Sequence, residues 1–195
     1  MVLELAKVKI LLTGYFEWVG ENKCRASSTV TLIQDRRKNI LVDTGTSSNQ
    51  KKLIKALSEL QLEPKDIDYV VITHSHTDHL ENLGLFSQAQ SINVFEIKTG
   101  DVFQISLEIL QKGEKQLTKN VRLISTPGHT PECVTVIVET EKGIIAIAGD
   151  LFVKKQTEKG VFVENKKMWQ QSREKILKLA DYIIPGHGPM FKVKK

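Results

Sequence analysis

The segment at residues 74–79 constrains this chain more than any other, because it reads His-Ser-His-Thr-Asp-His and directly follows an apolar run. It holds three of the chain's five histidines. Imidazole and carboxylate side chains together suit zinc, iron or manganese. The two other histidines, His129 and His187, each lie in a tight Pro-Gly loop. We therefore expect the chain to be a scaffold for one metal centre that is assembled from three distant places.

The spacing within this segment predicts two directions for its side chains. His74 and His76 are two residues apart, so in an extended segment they point to the same side. Asp78 and His79 come where the backbone turns into the next helix, so they can point elsewhere. One segment could therefore serve two metal ions about 3.5–4 Å apart, as in two-metal hydrolytic sites.

The loops around His129 and His187 contain four of the chain's five prolines. Proline fixes φ, and glycine permits turns that are closed to other residues. Loops built this way lose less conformational entropy when a ligand has to be held rigidly. Two matching Pro-Gly-His loops therefore favour metal ligands over ordinary exposed histidines.

Apolar strand candidates end just before five polar residues, which are Asp43, His74, His129, Asp150 and His187. If these strands pair in one or two sheets, their ends gather side chains from distant parts of the chain at one edge. A site at strand ends is held by a rigid scaffold, while the loops around it can vary.

Hydrophobic periodicity predicts many strands and a few helices. The expected strands are residues 7–13, 28–34, 40–42, 69–73, 91–95, 102–105, 107–110, 121–125, 133–139, 144–148 and 183–184. The expected helices are one that begins at Asn49 and ends before Pro64, and those at residues 80–86 and 167–180. The expected connections are residues 15–20, 113–120 and 154–165. The strands within residues 28–42 are expected to form an antiparallel hairpin.

Aromatic and basic residues outside these strands leave some roles open. The aromatic residues at 15–18 fit either a plug over a sheet edge or one wall of a substrate pocket. Trp169 is expected in the core, on the apolar face of its helix. The lysines at 154, 155, 166 and 167 fit a solvated loop better than a site for phosphates or carboxylates.

The composition is that of an ordinary soluble globular protein, with 41% hydrophobic and 26% charged residues. Its 195 residues fit one domain covering residues 1–195. The net charge of +5 favours anionic partners only weakly, because the lysines are scattered. A solvated cationic surface is therefore preferred over a nucleic-acid groove, although nucleic acid stays open as a phosphodiester partner.

The cysteines and the start of the chain bear on the cellular compartment in which we expect the protein. Neither Cys24 nor Cys133 lies in a C-x-x-C pair, so no zinc knuckle or redox site is indicated. The apolar start is too short and too interrupted for a signal peptide or a membrane span. We therefore expect a cytoplasmic protein without a membrane partner, with surface left for a homodimer interface.

The order of these motifs resembles the metallo-β-lactamase-fold superfamily over nearly the whole chain. The matching elements are the H-x-H-x-D-H segment, His129 after Thr-Pro-Gly, Gly149-Asp150, Gly186-His187 and the Val-Asp-Thr-Gly of residues 42–45. The resemblance implies a four-layer αββα sandwich, with two mainly antiparallel sheets, outer helices and metals at one edge. It also implies that Asp43 orients the site without binding metal. The implied metal ligands are His74, His76 and His129 for the first ion, Asp78, His79 and His187 for the second, and Asp150 as a bridge.

A narrower resemblance covers residues 11–15, 79–86 and 180–191. These segments are similar to the metallo-β-lactamase domain-containing protein 1 subgroup, which consists of compact, essentially single-domain hydrolases. Two positions depart from the usual superfamily pattern, because Glu81 and Glu132 stand where glycine is common. Both carboxylates either add negative charge near the site or point to solvent.

The resemblance implies a metal-dependent hydrolase that uses a metal-bridging hydroxide at a dinuclear site. The cofactors would be two divalent ions, with zinc preferred over iron or manganese, and Asp78 would act as the catalytic residue by orienting the hydroxide. The substrate would be an ester, a thioester or a phosphodiester. The alternative is a mononuclear iron persulfide dioxygenase on the same fold, because residues 127–135 also resemble those enzymes. A metal-dependent binding protein is the non-enzymatic interpretation.

Overall fold

The computed structural model describes residues 4–155 and 161–194. Its strands are Lys7–Leu12 (β1), Tyr15–Gly20 (β2), Lys23–Ser27 (β3), Val30–Asp35 (β4), Lys38–Val42 (β5), Tyr69–Val71 (β6), Gln90–Ile92 (β7), Glu96–Thr99 (β8), Val102–Ile105 (β9), Glu114–Gln116 (β10), Val121–Ser125 (β11), Val134–Thr140 (β12), Gly143–Ile147 (β13), Tyr182–Ile184 (β14) and Phe191–Lys192 (β15). Its α-helices are Gln50–Ser58 (α1), Thr77–Leu80 (α2), Leu107–Lys112 (α3) and Lys166–Leu179 (α4).

The strands form two large sheets and one small hairpin. The first sheet has the order β1-β4-β5-β6-β7-β8-β9, and the second has the order β10-β11-β12-β13-β14-β15. Strands β2 and β3 pair only with each other. Most neighbours are antiparallel, and the parallel pairs are β5–β6, β6–β7 and β13–β14. The predicted mainly antiparallel sheets are therefore confirmed, as is the hairpin of β4 and β5.

Two apolar faces on each large sheet produce the layers. In β5, Ile40 and Val42 pack into the core between the sheets, whereas Leu41 packs on the outer side with Leu53 of α1. This alternation follows from the two-residue period of a strand. Helix α4 covers the outer face of the second sheet, and Trp169 is one of the helix residues that pack against it. The chain thus has the predicted αββα sandwich, and Trp169 is in the core as predicted.

Three local predictions were wrong. Residues 107–110 form the start of helix α3 rather than a strand, and Gly113 ends this helix in the left-handed region at φ 74°. Strand β10 lies within the segment that was expected to be a polar connection. The aromatic segment Tyr15–Gly20 is a strand rather than a connection, because it pairs with β3. Short apolar runs fit a strand and a buried helix face equally well, so periodicity alone could not separate them.

Other predictions were met in part or stay open. The predicted helix at residues 80–86 is split into the end of α2 and a 3-10 turn at Leu83–Phe86. Part of the predicted loop at residues 154–165 lies outside the described residues. No helix within residues 4–155 and 161–194 is long and apolar enough to cross a membrane. The single domain and the cytoplasmic location stay predictions.

Candidate metal centre

The ends of strands from both sheets deliver the predicted ligands to one place. His74 follows β6 in the first sheet, His129 follows β11, and His187 follows β14 in the second sheet. Among the described residues, their donor atoms gather in two groups, and the atoms of each group lie within 4.8 Å of one another. The first group is His74, His76, His129 and Asp150, and the second is Asp78, His79 and His187.

The first group brings three imidazole nitrogens close together. His76 Nδ1 lies 3.0 Å from His74 Nε2 and 3.2 Å from His129 Nε2. The carboxylate of Asp150, which follows β13 of the second sheet, completes the group, with Oδ2 at 3.6 Å from His129 Nε2. Nitrogen and oxygen donors that converge in this way are suited to a divalent transition metal.

The second group lies on the other side of Asp150. His187 Nε2 is 3.2 Å from Asp150 Oδ1 and 3.5 Å from Asp78 Oδ2. His79 Nε2 is 3.5 Å from the same Asp150 oxygen. The two oxygens of Asp150 therefore reach both groups, which is the arrangement that a bridging ligand requires.

Several buried polar atoms of this centre have no hydrogen-bond partner within residues 4–155 and 161–194. They are Asp78 Oδ2, His79 Nε2 and Asp150 Oδ1. Unpaired buried donors and acceptors are rare because each one costs free energy. All three atoms face the same space, and a cation there would satisfy them together. The residues present therefore fit a metal centre.

Hydrogen bonds on the far side of the rings set the histidine tautomers. The Nδ1 atoms of His187 and His129 lie 3.0 and 3.1 Å from the carbonyl oxygens of Ser27 and Val161. Because a carbonyl oxygen only accepts, each Nδ1 carries the hydrogen and each Nε2 keeps its lone pair for a metal. His79 Nδ1 makes the corresponding bond to a carboxylate, Asp43 Oδ2, at 2.8 Å.

Asp43 is held in turn by the strand end that precedes the metal segment. Its Oδ1 accepts from the backbone N–H of Thr73 at 2.8 Å, and its Oδ2 accepts from Thr73 Oγ1 at 2.9 Å. Asp43 has φ 56°, in the left-handed region that aspartate tolerates better than most residues. Its carboxylate faces His79 and takes part in neither donor group, which is the position expected of an orienting residue.

Glycines in the histidine loops allow close approach of backbone to the site. A Cβ atom on Gly186 would lie 1.9 Å from Asp150 Oδ1, and one on Gly128 would lie 2.2 Å from the backbone nitrogen of Trp169. Gly128 also has φ 139°. The loops therefore need glycine both for space and, at Gly128, for backbone conformation.

Burial and nearby charged groups together shift the pKa values of the residues in this centre. Burial disfavours the charged form of His79, but Asp43 and Asp150 outweigh it and raise the pKa of this imidazole well above its usual range. Burial and the neighbouring His79 lower the pKa of His74 well below its usual range. Burial disfavours the carboxylate of Asp150, yet His79 and His187 hold its pKa well below the usual range. Asp150 is therefore a buried anion, as a metal-bridging position needs.

Comparison with known proteins agrees with this arrangement. Residues 25–187 match the family model of the metallo-beta-lactamase superfamily. The chain belongs to the metallo-beta-lactamase superfamily. Its fold is the hydrolase fold of that superfamily, with a His/Asp cluster that could bind metal.

The chain is also similar to individual proteins of this superfamily. The chain is 34% identical to metallo-beta-lactamase domain-containing protein 1 of Xenopus laevis, over 96% of this chain and 82% of the relative. It is also 34% identical to a Methanocaldococcus jannaschii protein named as a probable metallo-hydrolase, over 80% of this chain and 74% of the relative. The predicted resemblance to the domain-containing protein 1 subgroup is confirmed.

Among solved structures, a Thermotoga maritima protein of the metallo-beta-lactamase type superposes with a TM-score of 0.76. The likeness covers 96% of this chain and 99% of that chain at 22% identity. At this level of identity the likeness shows the shared fold.

In this chain, the β2–β3 hairpin forms one side of the opening to the metal centre. The Phe16 ring lies 5.9 Å from the His187 ring, and Trp18 lies 6.0 Å from Phe162. Lys154 Nζ ties the hairpin to the segment after Asp150 by donating to the Phe16 carbonyl oxygen at 2.6 Å. The adjacent cavity measures about 440 Å³ and is lined by Gly14, Tyr15, Lys154, Lys155, His187, Gly188 and Pro189. The geometry agrees with a pocket wall, one of the two roles that the sequence left open.

Both unusual glutamates accept hydrogen bonds instead of only facing solvent. Glu81 Oε2 accepts from the backbone N–H of Ser47 at 2.7 Å. Glu132 Oε1 accepts from Ser75 Oγ at 2.5 Å and from the backbone N–H of Ser75 at 3.3 Å. Ser75 is the residue between His74 and His76, so Glu132 connects this segment with the His129 loop. Sequence reasoning missed this connection because no local signal joins residues 57 positions apart.

Proposed function

We propose that this protein is a dinuclear metal-dependent hydrolase that cleaves an ester, a thioester or a phosphodiester. The observation that carries the proposal is the pair of adjacent donor groups on the two sides of Asp150. The buried atoms without a hydrogen-bond partner, Asp78 Oδ2, His79 Nε2 and Asp150 Oδ1, lie on the side of the second group, so a cation there as well would satisfy them.

In this proposal His74, His76 and His129 would hold the first ion, Asp78, His79 and His187 would hold the second, and Asp150 would reach both. Imidazole and carboxylate donors suit zinc, which accepts tetrahedral and five-coordinate geometries. The same donors also bind iron and manganese. Zinc is proposed because the histidines outnumber the carboxylates in the combined set.

Two bound divalent ions would supply hydroxide near neutral pH and stabilise negative charge on a substrate oxygen, because metal binding lowers the pKa of water to about 7. The protein's own contribution is orientation. The Asp78 side chain is 21% exposed, whereas that of Asp150 is 9% exposed, so Asp78 reaches further into the opening. Asp78 would therefore orient the attacking oxygen and accept its hydrogen bond.

The cavity beside His187 supports a small-molecule substrate. Its volume of about 440 Å³ lies within the range of small-ligand pockets, which is roughly 300–1,000 Å³. Tyr15 supplies an aromatic surface, and Lys155 supplies a positive charge at its edge. We propose that a small ester or thioester with an apolar part is a better fit than a nucleic-acid chain.

The alternative activity, that of a mononuclear iron persulfide dioxygenase, would use the first donor group alone. The second group then would have no role, although Asp78, His79 and His187 converge with two unpaired buried atoms. This observation favours the dinuclear hydrolase. It also argues against a binding protein without catalysis, since Asp78 is placed at the opening.

Metal analysis combined with a substrate panel tests the proposal. Native protein should contain two zinc ions per chain and should hydrolyse at least one member of a panel of thioester, lactone, phosphodiester and RNA substrates. Activity should be lost on chelation and restored by zinc. A single iron per chain, with oxygen uptake in the presence of glutathione persulfide, would overturn the assignment in favour of the dioxygenase.

A further inference from the structure

One lateral end of the first sheet carries a concentrated apolar surface away from the metal centre. Six of the eleven exposed large apolar side chains of the described residues lie between residues 95 and 110. They define what we call the β9 surface: Phe95, Val102, Phe103, Ile105, Leu107 and Leu110. Val102, Phe103 and Ile105 of strand β9 are 66%, 60% and 63% exposed. Exposed apolar side chains that are concentrated in this way mark a candidate interaction site.

Strand β9 is also an open sheet edge. It pairs with β8 on one side, and within residues 4–155 and 161–194 no strand pairs with its other side. Its sequence, Val-Phe-Gln-Ile, contains no charge and no proline. Native proteins usually protect an exposed edge with lysine, proline or a bulge, because unpaired N–H and C=O groups are a template for another strand.

The opposite edge of the same sheet shows such protection. Strand β1 carries Lys7 and Lys9, and both side chains are exposed. Head-to-tail pairing of β9 with β1 would build an open chain of molecules and would place these lysines in the contact. The difference between the two edges favours β9 pairing with its own copy.

We propose that the β9 surface is the interface of a homodimer in which the β9 strands of two copies pair antiparallel about a twofold axis. An axis through Gln104 places Phe103 of one copy opposite Ile105 of the other, with both side chains on the same face of the sheet. Pairs of an aromatic and a β-branched side chain stabilise antiparallel strands. The first sheets of the two copies then form one continuous sheet, and every contact occurs twice.

The available area agrees with a second copy as the partner. At their observed exposure, the six side chains present on the order of 600 Å² of apolar area per copy, against about 800 Å² per partner in a stable interface. The paired backbone and the polar rim at Lys98 and Asp101 add to this area. The proposed interface contains no residue of the metal centre, so it is independent of the proposed hydrolase activity.

Analytical ultracentrifugation of the full metal-loaded chain tests the proposal. We expect wild type at micromolar concentration to have twice the 22.0 kDa mass of one chain. Ile105→Lys should raise the dimer dissociation constant at least about 100-fold, because it buries a charge at the centre of the interface. Ile54→Lys is the matched control, because Ile54 is exposed on α1, and it should remain dimeric.

Hydrogen exchange locates the interface independently of mutation. The outward-facing amides within residues 102–105 should be protected in concentrated wild type and lose protection on dilution. Circular dichroism and thermal unfolding check that Ile105→Lys is folded. A monomeric wild type, a dimer that survives Ile105→Lys, or residues 102–105 that remain unprotected in the dimer would each overturn the proposal.

Discussion

The His79 imidazole and the Asp43 carboxylate form a hydrogen bond in the interior, with Nδ1 and Oδ2 separated by 2.8 Å. Their side chains are 0% and 2% exposed. Because the carboxylate can only accept, Nδ1 carries a hydrogen, which leaves Nε2, on the side of Asp78 and Asp150, as the ring atom available to a metal. Asp43 therefore fixes both the tautomer and the ring orientation of a residue that we propose to bind metal.

Replacing Asp43 with asparagine should weaken metal binding at the second donor group. Asparagine tolerates the left-handed backbone of this position, but it removes the negative charge that makes His79 a stronger ligand. We expect zinc affinity at the second group to fall by about 10- to 100-fold. Calorimetric titration of metal-free protein with zinc measures this loss. Binding at the first group is the internal control, and equal loss at both groups would contradict the assigned role.

Replacing Asp78 with asparagine should reduce turnover while leaving the fold intact. The amide keeps the shape of the side chain and one acceptor oxygen, but it cannot take up a proton or carry the negative charge. We expect kcat to fall by about 10²- to 10⁴-fold, the usual contribution of a general acid–base group. Steady-state kinetics should be paired with metal quantification. Near-normal turnover with both ions bound would exclude Asp78 as the orienting residue.

The residues of the two donor groups could be predicted from the sequence, whereas many of the contacts that orient them could not. His74, His76, Asp78 and His79 are contiguous, and their spacing alone separates them into two directions. The carbonyl oxygens that orient His187 and His129 belong to Ser27 and Val161, and any residue type can supply a carbonyl. Only the folded chain shows which backbone atoms reach these rings.

The same distinction applies to the fold. The layers follow from alternating apolar residues such as Ile40 and Leu41, which face opposite sides of one strand. The strand predicted at residues 107–110 is a helix. Only Ile109 of that apolar run is buried, and the remainder is exposed. A run whose apolar residues mostly face outward carries no reliable period.

Removing the Glu132 carboxylate should loosen the first donor group. Its Oε1 accepts two hydrogen bonds from Ser75 and thereby joins the His74–His76 segment to the His129 loop. We expect Glu132→Ala to lower zinc affinity at the first group by about 10-fold, as losses in orienting contacts do. Glu132→Gln is the matched control, because its amide oxygen still accepts from Ser75. Unchanged binding in Glu132→Ala would show that the contact has no positioning role.

Asp35 should stabilise the junction between the two sheets in a manner that depends on pH. It ends β4, is 1% exposed, and accepts hydrogen bonds from Thr118 Oγ1 at 2.6 Å, Asn120 N at 3.0 Å and Asn120 Nδ2 at 2.7 Å. Burial disfavours its carboxylate, but these hydrogen bonds outweigh burial and lower the pKa of Asp35. Because the folded pKa is depressed, the stabilisation is present above the unfolded value of about 3.9 and is lost as pH falls through the folded value.

Asp35→Asn should therefore lower the free energy of unfolding by about 2–3 kcal/mol at neutral pH, since hydrogen bonds to a buried charged group are lost or weakened. The difference from wild type should shrink as pH falls below the unfolded pKa, because wild type then loses the same contribution. Urea unfolding at pH values above and below this range measures both effects. Glu141→Gln, at an exposed turn, should change stability little at either pH. A difference that grows on acidification would contradict the direction of the Asp35 pKa shift.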